Sequence, residues 1–235
     1  MEFTEVVRRR RMTRAYTTDP VDPAVLERAL AAATRAPSAG FSQGWAFIVL
    51  DTPQTVRGFW AAQTDSALPG GSPDRWLAGM MAAPVVIVPC SRRDAYLSRY
   101  AEPDKARAGL ADNGGAPPEA PSATSAESRW AMPYWHLDTA MAALLVLQSV
   151  TDDGLGACFF GLVPERVEAV KEHLGLRDTA RFEAPHPIGA ITIGHPASRD
   201  QGALGSASRR QRRSWSEVTH RGQWGAGWTP TVGDA

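Results

Sequence analysis

Apolar positions along the chain switch between a helical and an extended period, and those switches lay out its elements. Phe3, Val6 and Val7 share one face of a short basic helix predicted over Phe3 to Arg11. DPAVLERALAAATRAP is a clearer helix. Asp22 stands where a cap is needed, Pro23 suits the first helical position, and Leu26, Ala29, Leu30 and Ala33 form the buried stripe. This helix must stop before Pro37. WAFIVLD reads as a strand, and APVVIVPC as a second, apolar enough to be covered on both faces. Between them, Trp60 and Trp76 lie in weakly helical sequence. In MPYWHLDTAMAALLVLQSVTDDG the residues from Thr139 onward are apolar almost all round, which predicts a central buried helix. GLGACFFG is a short extended segment, and PHPIGAITIGHP a strand. VPERVEAVKEHLG is a helix opened by Pro164 and closed by Gly175, with Val167, Val170 and Leu174 inward.

These elements mix without a regular strand–helix–strand rhythm, so the fold class is α+β. Residues 101–128 are rich in Ala, Pro, Gly and Ser with little periodicity. They read as a long loop or excursion from a single domain spanning 1–235, either a mobile cover over a cleft or a solvated surface loop with no role. No internal repeat interrupts this plan.

Composition narrows the choice of partners. The 235 residues carry 25 basic and 25 acidic side chains, so no global field draws the protein to nucleic acid or to a membrane surface. The longest apolar run, TAMAALLVLQSV, is too short to span a bilayer. The basic N-terminal stretch lacks the apolar core of a secretory signal, and a cytoplasmic protein is expected. Cys90 and Cys158 sit inside apolar runs and read as buried thiols of a reducing compartment. Neither a GxGxxG nor a P-loop is present, which argues against a dinucleotide-binding domain of the usual kind.

Charge is concentrated at the two ends. Arg8 to Arg11 with Arg14 lie near one terminus, and Arg209, Arg210, Arg212 and Arg213 near the other. A run of arginines is commonly a solvated helix end. Guanidinium forks from both ends could also hold one phosphate bidentately, and Arg10 and Arg14 could share a helix face. A nucleic-acid tract is a third reading, weakened by net neutrality. His136 and Asp138 open the apolar helix, where an aspartate is most simply a dipole partner. His186 and His195 flank a strand without metal-ligand spacing. Trp60, Trp76, Trp130 and Trp135 could line an aromatic substrate pocket, whereas Trp45 is more simply core.

The order of these features resembles the nitroreductase family of FMN-dependent oxidoreductases. RRRMTRAY followed by DPVDPAVLERALAAATRAPSAGFSQGWAFIVL is similar to the family's N-terminal pattern. GLGACFFG with its following helix and PIGAITIGHPA is a second match, and RRQRRSW a third. Together they cover most of the chain outside residues 52–130. The resemblance implies a homodimer with a mixed central β-sheet surrounded by helices and FMN in two interfacial clefts. It implies NAD(P)H as electron donor and a nitroaromatic, quinone-like or enone-like small molecule as acceptor, with ping-pong turnover. Dehalogenation, flavin fragmentation and heterocycle dehydrogenation also occur in the family, and a flavin-binding module without turnover is an alternative. Residue by residue, Arg10, Arg11 and Arg14 match the first basic motif, with Arg10 at phosphate or ribityl and Arg14 at the pyrimidine edge of the flavin. Pro37, Ser38, Ala39 and Gly40, with Gln43, match a loop that reaches the partner subunit's flavin. Phe159, Phe160 and Gly161 match a segment whose backbone faces the flavin ring. Arg210 and Arg212 match the C-terminal phosphate pair. A flavin-borne reaction needs no protein nucleophile, metal or catalytic triad. Two departures stand out: Met12 replaces a frequent serine, and Phe41 a frequent asparagine.

Overall fold

The run VVIVPCS forms β2 (Val85–Ser91), buried along its whole length. A strand with no exposed face must be covered on both sides. Accordingly, Val86, Val88 and Cys90 enter one hydrophobic cluster while Val85 and Ile87 enter another on the opposite face. β1 (Trp45–Leu50) pairs along one edge of β2, from Trp45 against Ser91 to Leu50 against Val86. Along the other edge run β5 (Ala190–Gly194) and the short β4 (His186–Pro187), and β3 (Gly156–Phe160) pairs outside β5. This computed structural model describes residues 1–67, 70–108, 130–179, 183–197 and 210–228.

Every ladder among the described residues is antiparallel. That corrects the mixed sheet expected from the sequence. The parallel component is reduced to the isolated bridge between Met12 and Ala157, because the N-terminal segment runs beside β3 only briefly before Tyr16 turns into the core. The single strand predicted at PHPIGAITIGHP also divides. Gly189 breaks it at φ 153°, where a Cβ would stand 2.7 Å from the Phe160 carbonyl oxygen.

Helices cover both faces. α2 (Pro23–Ala33) and α7 (Tyr134–Asp152) pack on one, and α3 (Pro53–Gln63), α4 (Arg75–Met81) and α8 (Val167–His173) on the other. The caps follow local chemistry: Asp22 accepts from the Ala24 amide at 2.9 Å, Thr52 and Thr55 form a capping box, and Asp74 accepts from the Leu77 amide at 2.7 Å. α1 (Phe3–Arg9) ends sooner than predicted, because Arg10 leaves helical geometry at ψ 121°. α5 (Arg93–Tyr100) and α6 (Pro103–Ala108) follow β2. The loop predicted at 101–128 therefore begins as a helix, and its part from 109 to 128 lies outside the described residues.

α7 departs from expectation. Ala142, Val146 and Val150 are fully buried, but Tyr134, Leu137, Met141 and Leu144 are 39%, 40%, 39% and 44% exposed. The sheet and α2 cover only one side, so an apolar stripe at helical spacing is left on the other. No helix among the described residues is long and apolar enough to cross a membrane.

Candidate functional site

The site begins where the basic segment meets β3. Thr13 donates its amide to the Ala157 carbonyl at 2.9 Å, and the Phe159 amide points at the Met12 sulfur at 3.4 Å. Close approach requires Gly156, because a Cβ there would stand 2.6 Å from the Thr13 hydroxyl oxygen. The parallel bridge sets the register: Arg10 is level with Leu155 and Arg14 with Phe159. At about 3.3 Å per residue, the two arginines are separated by about 13 Å along this edge.

At the Arg10 end lies a cavity of about 530 Å³ whose walls carry Arg8, Arg9, Arg10, Arg11, Thr13 and Arg212. The tail is stiffened there by a capping box between Ser214 and Glu217 and by Arg213, which donates to the Glu217 carbonyl at 3.2 Å. Arg8 and Arg9 both reach Glu5, at 3.5 and 2.7 Å. Arg10, Arg11 and Arg212 have no carboxylate partner among the described residues. Converging unpaired guanidiniums repel one another and favour a multivalent anion such as a phosphate. Arg210 is exposed and lines neither this cavity nor the next, and Arg209 lies outside the described residues.

At the Phe159 end the chain presents a second cavity of about 320 Å³. Phe160 and Gly161 line it together with Trp60, Gln63, Trp76 and Leu77. Phe160 stacks on Trp60 at 5.4 Å and 5°, with Trp76 edge-on at 6.4 Å. Phe159 turns to the opposite face of the sheet. Arg14 is half-buried, donates to the Met12 carbonyl at 3.2 Å and opposes the burial that pushes the Cys158 thiol up. Burial likewise holds Cys90 at about 12, so both free thiols stay protonated near neutrality.

The loop from Pro37 to Gln43 lines neither cavity of its own chain. Gly40, Phe41 and Gln43 adopt φ of 63°, 58° and 49°, left-handed positions in a loop that needs fastening. Asp138 supplies it. Its Oδ2 accepts from the Ala39 amide at 2.8 Å and from the Tyr96 hydroxyl at 2.6 Å, and the residue is 2% exposed. Arg99 donates to the Gly40 carbonyl at 2.9 Å, and Ser38 accepts from the Gln43 amide at 3.0 Å. Asp138 is therefore a loop anchor rather than the dipole partner expected. A carboxylate one turn into a largely apolar helix was the signal for it; nothing local marked Tyr96 or Arg99.

The aromatic set divides. Trp130 packs on Tyr100 and Tyr96, and Trp135 on Tyr96, away from the Trp60 and Trp76 wall. Trp135 lines a third cavity of about 240 Å³ with Ser91, Arg93, His136, Glu183 and His186. There the Ser91 hydroxyl meets His136 Nδ1 at 2.8 Å and the His186 carbonyl at 3.3 Å. Burial, and then the neighbouring His186, hold His136 below its ordinary value of 6.5. His195 lies apart, with Nε2 3.3 Å from the Pro20 carbonyl, and no group among the described residues could hold a metal ion.

The nitroreductase family model matches residues 7–195. The fold is also that of solved structures under 25% identical. A nitroreductase-type protein from Desulfovibrio desulfuricans, in complex with FMN, is 20% identical over 95% of this chain and 98% of its own, with a TM-score of 0.61. A nitroreductase family protein from Clostridium difficile 630 is 18% identical, covering 95% of this chain and 99% of its own at a TM-score of 0.62. One from Streptococcus pneumoniae TIGR4 is 24% identical over 94% and 100%, at a TM-score of 0.61. With that match spanning β3, the basic segment beside it and the loop on Asp138, the chain belongs to the nitroreductase family of oxidoreductases.

Proposed function

We propose that this protein is an FMN-dependent oxidoreductase that takes electrons from NAD(P)H and passes them to a nitroaromatic, quinone-like or enone-like acceptor in ping-pong fashion. The observation that carries the reading is the cavity where unpaired Arg10, Arg11 and Arg212 converge from opposite ends of the chain. Those donors fit a phosphate. Phe160 and Gly161, at the other end of the same edge, offer a flat apolar wall and a backbone free of side-chain obstruction, which fit a ring system. FMN, when bound, supplies the hydride chemistry. Arg10, Arg11 and Arg212 would hold its phosphate, Arg14 would bring positive charge to the pyrimidine edge, and the amide beside Gly161 would donate to the ring.

The reading includes a homodimer acting on small molecules in the cytoplasm. The stripe of Tyr134, Leu137, Met141 and Leu144 supports assembly. So does the loop of Pro37, Ser38, Ala39, Gly40 and Gln43, which serves neither cavity of its own chain but is held rigidly.

FMN titration of the apoprotein, followed by anaerobic NADH or NADPH, tests the function. Charge-assisted contacts contribute about 1.5–3 kcal/mol each. Arg10→Ala or Arg212→Ala should therefore weaken FMN binding by about one to two decades. Arg8→Ala should matter less, since Arg8 already shares Glu5 with Arg9. Equal losses from Arg8→Ala and Arg10→Ala would refute the phosphate assignment. A flavin that neither nicotinamide nucleotide bleaches would indicate a binding module without turnover.

A further inference from the structure

A fourth cavity, of about 410 Å³, opens where β1 ends and β2 begins. None of its lining residues lines the arginine cavity, the Phe160 cavity or the one around His136, so the flavin reading leaves it without a role. Ligand pockets begin at about 300 Å³ and combine a mostly apolar lining with a few polar groups. This cavity has that build. Val21 approaches it from the segment before α2, Leu26 from α2, Val56 from α3, Met81 from the end of α4 and Val85 from β2. Pro20, Pro23, Pro53 and Pro84 stand between them. Proline fixes its own backbone angle, and Pro23 and Pro53 are seated in the first turns of α2 and α3. The walls are therefore set before any ligand arrives, which lowers the ordering cost of binding.

Charge then narrows the ligand. Among the described residues that line the cavity, Arg57 is the one cation and Asp51 the one carboxylate. Both are exposed, which puts them at its mouth. Neither side chain forms an ion pair or hydrogen bond among the described residues, although they carry opposite charges on one cavity. An apolar molecule with only an acidic head would satisfy Arg57 but face Asp51, and one with only an amine would do the reverse. A head that carries both charges satisfies both, with the guanidinium fork matching a carboxylate. We propose that this cavity binds a free amino acid with an apolar side chain, its carboxylate on Arg57, its ammonium at Asp51 and its side chain among Leu26, Val56 and Met81. The proposal does not depend on the flavin reading.

The test is isothermal titration of the full chain with L-phenylalanine, beside 3-phenylpropionate, which lacks the ammonium, and 2-phenylethylamine, which lacks the carboxylate. Phenylalanine should bind about fivefold more tightly than either, the scale of one exposed charge pair. Arg57→Gln should erase its advantage over phenylethylamine, and Asp51→Asn its advantage over phenylpropionate. Both residues are exposed, so these variants leave the core intact. Ala82→Phe fills the cavity from its wall and should abolish binding of all three. If that variant fails to fold, the two charge variants decide alone. Three results overturn the proposal: no binding of phenylalanine at millimolar concentration, a singly charged relative that binds as tightly, or a preference that survives both charge variants. The second of these would make the cavity a site for an apolar acid or an apolar amine. Competition between FMN and phenylalanine would put the amino acid in the cofactor's cavities and also overturn it. A protein that takes up no FMN yet shows the stated preference would overturn the flavin reading and leave this site standing.

Discussion

Removing the Asp138 carboxylate should release the Pro37–Gln43 loop while leaving the sheet intact. One buried oxygen, Oδ2, serves both the Ala39 amide at 2.8 Å and the Tyr96 hydroxyl at 2.6 Å. Hydrogen bonds to a charged group contribute about 1.5–3 kcal/mol, and a buried donor left bare costs about 1–3 kcal/mol. The two bonds share an atom and do not add, so Asp138→Ala should cost about 3–5 kcal/mol, the range for breaking a buried charged network. Asp138→Asn keeps the volume and an acceptor but loses the charge, and about 1–2 kcal/mol should go. Tyr96→Phe removes one donor and leaves the Ala39 bond in place. Urea unfolding gives the totals, and amide hydrogen exchange at Ala39 separates loop from global effects. In Asp138→Ala, Ala39 should exchange through local opening at a rate well above that of β2 amides, whereas in Tyr96→Phe it should stay protected. If Asp138→Ala loses less than about 1 kcal/mol and Ala39 remains protected, the carboxylate is not the anchor and the loop is held by Arg99 and Ser38 instead.

Stability should fall as pH drops below 6.5, the ordinary histidine value, because His136 is held lower in the folded state and the unfolded chain takes up the proton first. The slope should end below the folded value of His136, and His136→Asn should flatten it in thermal melts across that window. Gly156→Ala should cost about 1–3 kcal/mol, since its Cβ would meet Thr13, whereas Gly161→Ala, with nothing within 4 Å, should cost less than about 0.5 kcal/mol in the same melts. Met141→Glu places a charge in the exposed α7 stripe and should shift a dimer toward monomer in sedimentation at constant protein concentration; an unchanged sedimentation profile would exclude that face as the interface.

What was legible in the sequence followed from local rules. Asp22, Pro23 and the stripe from Leu26 to Ala33 predicted α2 because cap, first turn and apolar period all act within one helix. VVIVPC could be read as doubly covered because no polar residue interrupts it. Local rules could not say how much of α7 would be covered, since Leu137, Met141 and Leu144 are as apolar as Val146 and Val150. Coverage is a property of the neighbours. The same limit explains the sheet: strand identity was readable, but the direction of each pairing depends on how the intervening helices return the chain.

The site was legible in pieces for the same reason. Arginine clusters suggest an anion from composition alone, and of the C-terminal cluster Arg212 lines one cavity with Arg8 to Arg11. The joint between the pieces is the bridge from Met12 to Ala157, a contact between residues remote in sequence that no periodicity encodes. Once that bridge is made, alignment follows from strand geometry: Arg10 and Arg14 stand about 13 Å apart beside β3, with the arginine cavity at one end and the Phe160 cavity at the other. Met12 itself holds the joint, its sulfur facing the Phe159 amide. The residue that departs from the family's frequent serine is thus packed into the edge that spaces the two cavities.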